Sequence, residues 1–152
     1  MLNHSSVATI VAAFLASVGL SSAAGSDITG SLQEMRMLGQ CEGCILSGHD
    51  FSRLKLTGIN LTNAELTSVL FDDAQMNLST FEDAVLSGVT FAGTNLRGAN
   101  FVDTRLIDVS FDRADLRGAV FEGAILERTS LDGALLCNTK RPSDLMDNSD
   151  CD

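Results

Sequence analysis

The chain has 152 residues, enough for one domain, with 20 acidic against 10 basic side chains and a formal charge of −10. Trp and Tyr are absent, so Phe and Leu must supply the core. The charge argues against direct nucleic-acid binding, which needs clustered Lys and Arg. It suits a basic partner or simple solubility.

Residues 1–26 carry no charged side chain. Val7 to Leu20 is an apolar run of signal-peptide length, too short to span a bilayer comfortably. Ser22-Ala23-Ala24 reads as a small-residue cleavage site. The expectation is a signal peptide over 1–24, a mature chain from Gly25 and no stable membrane insertion after cleavage. The n-region lacks Lys and Arg, so an uncleaved anchor is the competing reading. In the segment 25–40, Ser31-Leu32-Gln33-Glu34 reads as a capping box, and Leu32, Met35 and Leu38 offer an apolar face. A short helix is expected there, covering whatever follows. Four Cys in a small exported chain suggest two disulfides. They cluster as Cys41 with Cys44 and Cys137 with Cys151, and count alone leaves three connectivities open.

From Cys41 to Leu136 every fifth residue is Cys, Leu, Phe or Met. These centres are Cys41, Leu46, Phe51, Leu56, Leu61, Leu66, Phe71, Met76, Phe81, Leu86, Phe91, Leu96, Phe101, Leu106, Phe111, Leu116, Phe121, Leu126, Leu131 and Leu136. A period of five fits neither a helix nor a flat strand. It marks a repeat whose backbone turns a corner every few residues. The residue three after each centre, and so two before the next, is Ala, Cys, Ser, Thr or Val in 17 of 20 units from Cys44 to Thr139, so each unit has one large and one small inward side chain. The exceptions, His49, Leu54 and Ile59, cluster at the start. Between 71 and 121 Phe recurs every ten residues. A ten-residue ring is too tight for such side chains, whereas a twenty-residue coil of four units holds them. Phe51, Phe71, Phe91 and Phe111 should then stack in one column, faced by Phe81, Phe101 and Phe121.

Ala64-Glu65-Leu66, Thr94-Asn95-Leu96, Ala99-Asn100-Phe101 and Ala114-Asp115-Leu116 resemble the A-(D/N)-(L/F)-x-x unit of pentapeptide repeat proteins. The resemblance covers roughly residues 41–140. It implies an all-β fold, a right-handed quadrilateral β-helix of about five coils and roughly 24 Å in length. In such a rod the two Cys clusters stand roughly 23 Å apart, and a disulfide needs Cα atoms within about 7 Å. The implied fold therefore pairs Cys41 with Cys44 and Cys137 with Cys151. Arg141-Pro142 should stop the strand pattern and leave an irregular tail over 141–152, closed by its disulfide. The opening C-x-x-C and the tail also resemble an exported subgroup of the family, which implies a periplasm or thylakoid lumen.

Catalytic constellations are missing from the pattern. C-x-x-C can be a redox pair, but Cys41 and Cys44 occupy inward positions, which favours a structural staple. His49 is the only His after residue 4 and has no evident partner for base or metal work. No activated Ser, phosphate loop, cofactor motif or metal-ligand set is legible, so no enzyme activity, small-molecule substrate, cofactor or metal is expected.

The register also sorts the outward residues. One wall carries Glu82, Asp83, Asp103 and Glu122 without Lys or Arg. The next carries Lys55, Arg97 and Arg117 against Asp115 alone. A third presents Ile45, Val85, Ile107 and Ile125. These walls are the candidate partner surfaces. The expected function is a non-enzymatic exported scaffold or protein-interaction module, periplasmic in the first instance, with a thylakoid lumen or the cell exterior as alternatives. Two further readings compete: an acidic DNA mimic that binds a topoisomerase, as some members of the family do, and a thiol–disulfide module built on Cys41 and Cys44.

Overall fold

The computed structural model describes residues 39–152. The signal peptide and the capping helix expected ahead of them lie outside the described residues.

Five three-residue strands, β1 (Ile45–Ser47), β2 (Glu65–Thr67), β3 (Val85–Ser87), β4 (Arg105–Ile107) and β5 (Ile125–Glu127), form one parallel sheet in that order. The register advances by one coil of twenty residues: Leu46 pairs with Leu66, Leu66 with Leu86, Leu86 with Leu106 and Leu106 with Leu126. The other three walls keep the same step through single parallel bridges, such as Lys55 to Gln75, Leu70 to Thr90 and Asn100 to Val120. The described residues thus build an all-β, four-sided solenoid and contain no helix.

The period of five comes from the corners. At most of them the centre's carbonyl accepts the N–H three residues on, as in Leu54 N–H to Phe51 O at 3.2 Å. The residue two after the centre has positive φ, Arg53 at 61° and Asn63 at 58° among them. That pairing is the mark of a type II turn. The Asx residue before a centre supports the corner. Asn60, Asn95 and Asn100 accept the backbone N–H two residues on at 2.9–3.2 Å. Val85, Ile107 and Ile125 favour extended backbone, and their wall is the one that forms continuous strands.

The centres point inward. Phe51, Phe71, Phe91 and Phe111 stack with centroids 5.3–5.5 Å apart. Phe81, Phe101 and Phe121 form a second column at 4.6–4.7 Å. All seven rings are buried, as are Met76 and the Leu centres other than half-buried Leu126. Burial of side chains this large supplies the main folding drive.

Four small polar residues are buried with them: Ser79, Thr94, Thr104 and Thr139. Each of the three Thr hydroxyls donates to a carbonyl in the coil before. Thr94 reaches Phe71 O at 2.6 Å, Thr104 reaches Phe81 O at 2.8 Å, and Thr139 reaches Leu116 O at 2.9 Å. Small inward positions can therefore be polar, because a hydroxyl there finds an acceptor.

Both disulfides are present, with Cα atoms 5.3 Å apart for Cys41–Cys44 and 4.9 Å for Cys137–Cys151. The tail is more ordered than its sequence suggests. Strands β6 (Thr139–Lys140) and β7 (Met146–Asp147) pair antiparallel. The loop between them closes with Asp144 N–H on Arg141 O at 3.1 Å and Arg141 N–H on Leu145 O at 2.9 Å. Asp144 sits at φ 63°, the left-handed position of a three-residue hairpin loop. Arg141-Pro142 thus reverses the chain rather than ending its structure.

Candidate functional site

The interior offers no reaction centre among the described residues. Every buried hydroxyl donates to a backbone carbonyl, Ser79 to Met76 O of its own corner at 2.5 Å and the three Thr to the coil before, and no group of three His, Cys, Asp or Glu among the described residues is placed to hold a metal. Cys41 and Cys44 are buried. His49 stacks on Phe51 at 5.8 Å and 11°, and its buried Nδ1 has no hydrogen-bond partner among the described residues. What the molecule presents to others is its outer walls.

The acidic wall is shorter than the sequence indicates. Glu82 and Asp83 are exposed, as is Asp103. Glu82 accepts from Asn100 Nδ2 at 3.3 Å. Glu122, however, is paired by Lys140 Nζ at 2.5 Å. The register stacks Lys140 on Val120, in an outward column of the very wall that was expected to carry no cation, and its long side chain reaches Glu122 in the neighbouring column.

The arginine wall also differs from expectation. Arg117 grips Asp115 with two bonds, Nε to Oδ1 at 2.8 Å and Nη2 to Oδ2 at 2.6 Å. Its guanidinium holds the Asp115 carboxyl below the usual carboxylate range. Arg97 reaches the same carboxylate only loosely, at 3.8 Å, so it is the less neutralised cation. Lys55 stands in the Asp115 column, three coils earlier, and belongs to no ion pair among the described residues. Asp115 is not the sole acid here. The tail lays Asp150 and Asp152 beside Arg97 and Arg117 in a hollow of about 310 Å³. A second hollow, about 430 Å³, continues along the wall over Arg97, Arg117, Asn77, Asn95 and the exposed Leu78. Nothing periodic in the sequence marks the contribution of Asp150 and Asp152.

The sheet wall is flat and mixed. Ile45, Val85 and Ile125 are exposed, and Ile107 is half-buried. Glu65 and Arg105 stand between them in the same column, and Arg105 pairs with Glu127 at 2.5 Å.

A family model described as pentapeptide repeats matches this chain in eight copies, over residues 44–83, 84–123 and 114–140. The chain belongs to the pentapeptide repeat family. Among solved structures, this pentapeptide repeat protein is similar to one from the Arabidopsis thaliana thylakoid lumen, at 28% identity and a TM-score of 0.54. That match covers 67% of this chain and 65% of the Arabidopsis chain, so this chain spans less than two thirds of that relative. A pentapeptide repeat protein from the cyanobacterium Cyanothece 51142 matches at 24% identity and TM-score 0.37, over 76% of this chain and 97% of its own. QnrB1, a plasmid-mediated fluoroquinolone resistance protein, matches at 16% and 0.48, over 60% and 57%. No curated protein matches the chain.

Proposed function

We propose that this pentapeptide repeat protein is a non-enzymatic, exported interaction module that presents flat walls of distinct chemistry to a protein partner. The observation that carries this reading is the division of labour in each coil. Most inward side chains are used up in packing and in bonds to backbone carbonyls, and the outward ones differ from wall to wall: one mainly acidic, one carrying Arg97 and Arg117, and a flat sheet wall of Ile and Val interspersed with Glu65 and Arg105. Such a rod binds by surface rather than by pocket. Export draws support from the two disulfides and from the likeness to a thylakoid-lumen protein. A bacterial periplasm fits the same features.

The test is crosslinking of the protein in its own compartment. The expected result is one adduct that is lost on Arg97→Glu or on Val85→Asp and kept on a substitution at the opposite wall. An adduct pattern indifferent to all wall variants would overturn the reading. So would a turnover reaction abolished by a single polar substitution.

The acidic mimic of a DNA duplex is the weaker alternative. A net charge of −10 favours it, but arginines or Lys140 neutralise Asp108, Asp115 and Glu122. Inhibition of gyrase supercoiling at micromolar protein is its test. The thiol–disulfide reading through Cys41 and Cys44 is disfavoured by their burial.

A further inference from the structure

The tail finishes the last coil by imitation. Inside the solenoid, Leu116 N–H donates to Leu135 O at 3.0 Å and Gly118 N–H to Cys137 O at 2.8 Å. Leu136 and Asn138 are the next residues in those two columns. Side chains of the tail now stand where backbone carbonyls stood. Leu136 N–H donates to Asp150 Oδ2 at 2.9 Å, and Asn138 N–H donates to Asn148 Oδ1 at 2.9 Å. Asp150 N–H returns a bond to Leu136 O at 2.8 Å. The Cys137–Cys151 bridge ties this segment down between those contacts.

The same segment faces the arginine wall across a shared hollow, near enough for its charge to be felt there but, among the described residues, without an ion pair between them. Asp150, Cys151 and Asp152 share a hollow with Arg97 and Arg117, and Asp152 adds to the negative field at Arg117. The two bridges differ in access. Cys41 and Cys44 are 5% and 6% exposed, whereas Cys151 is open to solvent. Disulfide exchange needs a thiolate to reach a sulfur.

We propose that Cys137–Cys151 is a reducible latch, whose opening lifts the acidic tail off Arg97 and Arg117 and frees that wall for an acidic peptide segment of a partner. The reductant is a dithiol, small or protein-borne. One of its thiolates attacks Cys151 Sγ, the S–S bond breaks, and Cys137 leaves as a thiolate that takes a proton. The dithiol's second thiolate then displaces Cys151, which also takes a proton. Two electrons and two protons pass to the protein, and the dithiol becomes a disulfide. The tail itself, Asp150-Cys151-Asp152, is the template for the ligand that would replace it. The redox-active bridge is thus the one at the tail and not the C-x-x-C.

The experiment titrates the 152-residue chain with dithiothreitol and reads three signals by mass spectrometry: thiol labelling, amide exchange and phenylglyoxal modification of arginine. The expected result is reduction of Cys137–Cys151 before Cys41–Cys44. Exchange at Leu136 and Asn138 should then rise about a hundredfold, the weight of closing a loop of this length. Arg97 and Arg117 should react faster, while Arg113, already 77% exposed, should not change. Hexaglutamate should slow the reaction at Arg97 and Arg117 in the reduced protein only. Cys151→Ser should reproduce the open state without reductant. If that variant folds poorly, Asp150→Ala with the bridge intact separates the parts: Leu136 exchange rises while Asp152 stays beside Arg117 and the arginine reacts at its unreduced rate. Earlier reduction of Cys41–Cys44, or unchanged exchange or arginine reactivity on opening, overturns the latch. Failure of hexaglutamate to protect the arginines overturns the acidic-segment assignment.

Discussion

Phe91 meets Phe101 edge to face, with ring centroids 6.1 Å apart and planes at 83°, although each lies parallel to its neighbours within its own column. The two phenylalanine columns therefore interlock at right angles along the rod. Edge-to-face pairs gain from the ring quadrupole beyond simple burial. A solenoid couples each coil only to its neighbours, so a hole in the middle coil weakens two interfaces at once. Phe91→Ala should cost about 3–5 kcal/mol, and Phe91→Leu about 1.5 kcal/mol or less. Urea unfolding followed by circular dichroism measures both. Equal costs for the two variants would mean that the ring is not packed as described.

Glycine at the corners relieves backbone strain rather than crowding. Gly58 and Gly93 both have positive φ, 69° and 67°. A Cβ on Gly58 would meet open space, whereas one on Gly93 would fall on the Asp73 carboxylate of the coil below. Gly58→Ala should cost about 1–2 kcal/mol, the backbone strain alone. Gly93→Ala should cost about the same, because that carboxylate is the far end of an exposed side chain and can turn aside. A double-mutant cycle with Asp73→Ala reads the residual coupling; a coupling well above about 0.5 kcal/mol would show that the carboxylate is held in place.

Thr94 donates its buried hydroxyl to Phe71 O at 2.6 Å. Thr94→Val keeps the shape and removes the bond. The Phe71 carbonyl keeps its turn bond from Ala74 N–H at 3.0 Å, so it is not orphaned. The expected cost is about 1 kcal/mol, read from the urea midpoint. A cost several times larger would show that the hydroxyl does more than bridge coils.

Acid should loosen the arginine wall and the hairpin together. Arg117 holds the Asp115 carboxyl low, and Arg128 does the same for Asp108. The backbone N–H and side chain of Ser149 lower Asp147, with Arg141 adding to them. A depressed folded pKa means that the unfolded chain binds protons first as pH falls. The stabilisation is complete above the ordinary Asp value of about 4 and disappears as pH drops through each lowered value. Unfolding midpoints between pH 7 and pH 2 should show this acid limb, and Asp115→Asn should flatten it. A limb unchanged in that variant would remove Asp115 from the account.

The inward half of the structure was legible because it is local and repeated. Phe71, Phe91 and Phe111 fall in one column for the same reason that their neighbours do: each unit sets one large side chain inward and then turns. The outward half was legible only where contacts stay within a column. Lys140 on Glu122 and the sharing of Asp115 by two arginines depend on side-chain reach across columns, which the period does not encode. The tail's disulfide was legible, but how the tail closes the last coil was not, for a stronger reason. Asp150 and Asn148 act as stand-ins for carbonyls, and an isolated Asp or Asn looks the same whether it caps a strand edge or faces water. His49 marks the other limit, since its place at a normally small position was visible but its stacking on Phe51 was not.

The sequence by itself determined the four-sided coil, its twenty-residue step and the residues that fill it. Side-chain size and turn preference act over a few residues and are restated in every unit. Only the tertiary structure decided which charges neutralise one another, which disulfide solvent can reach and what closes the final coil. Those outcomes rest on groups far apart in the chain, whose meeting follows from the stacking and not from any repeat.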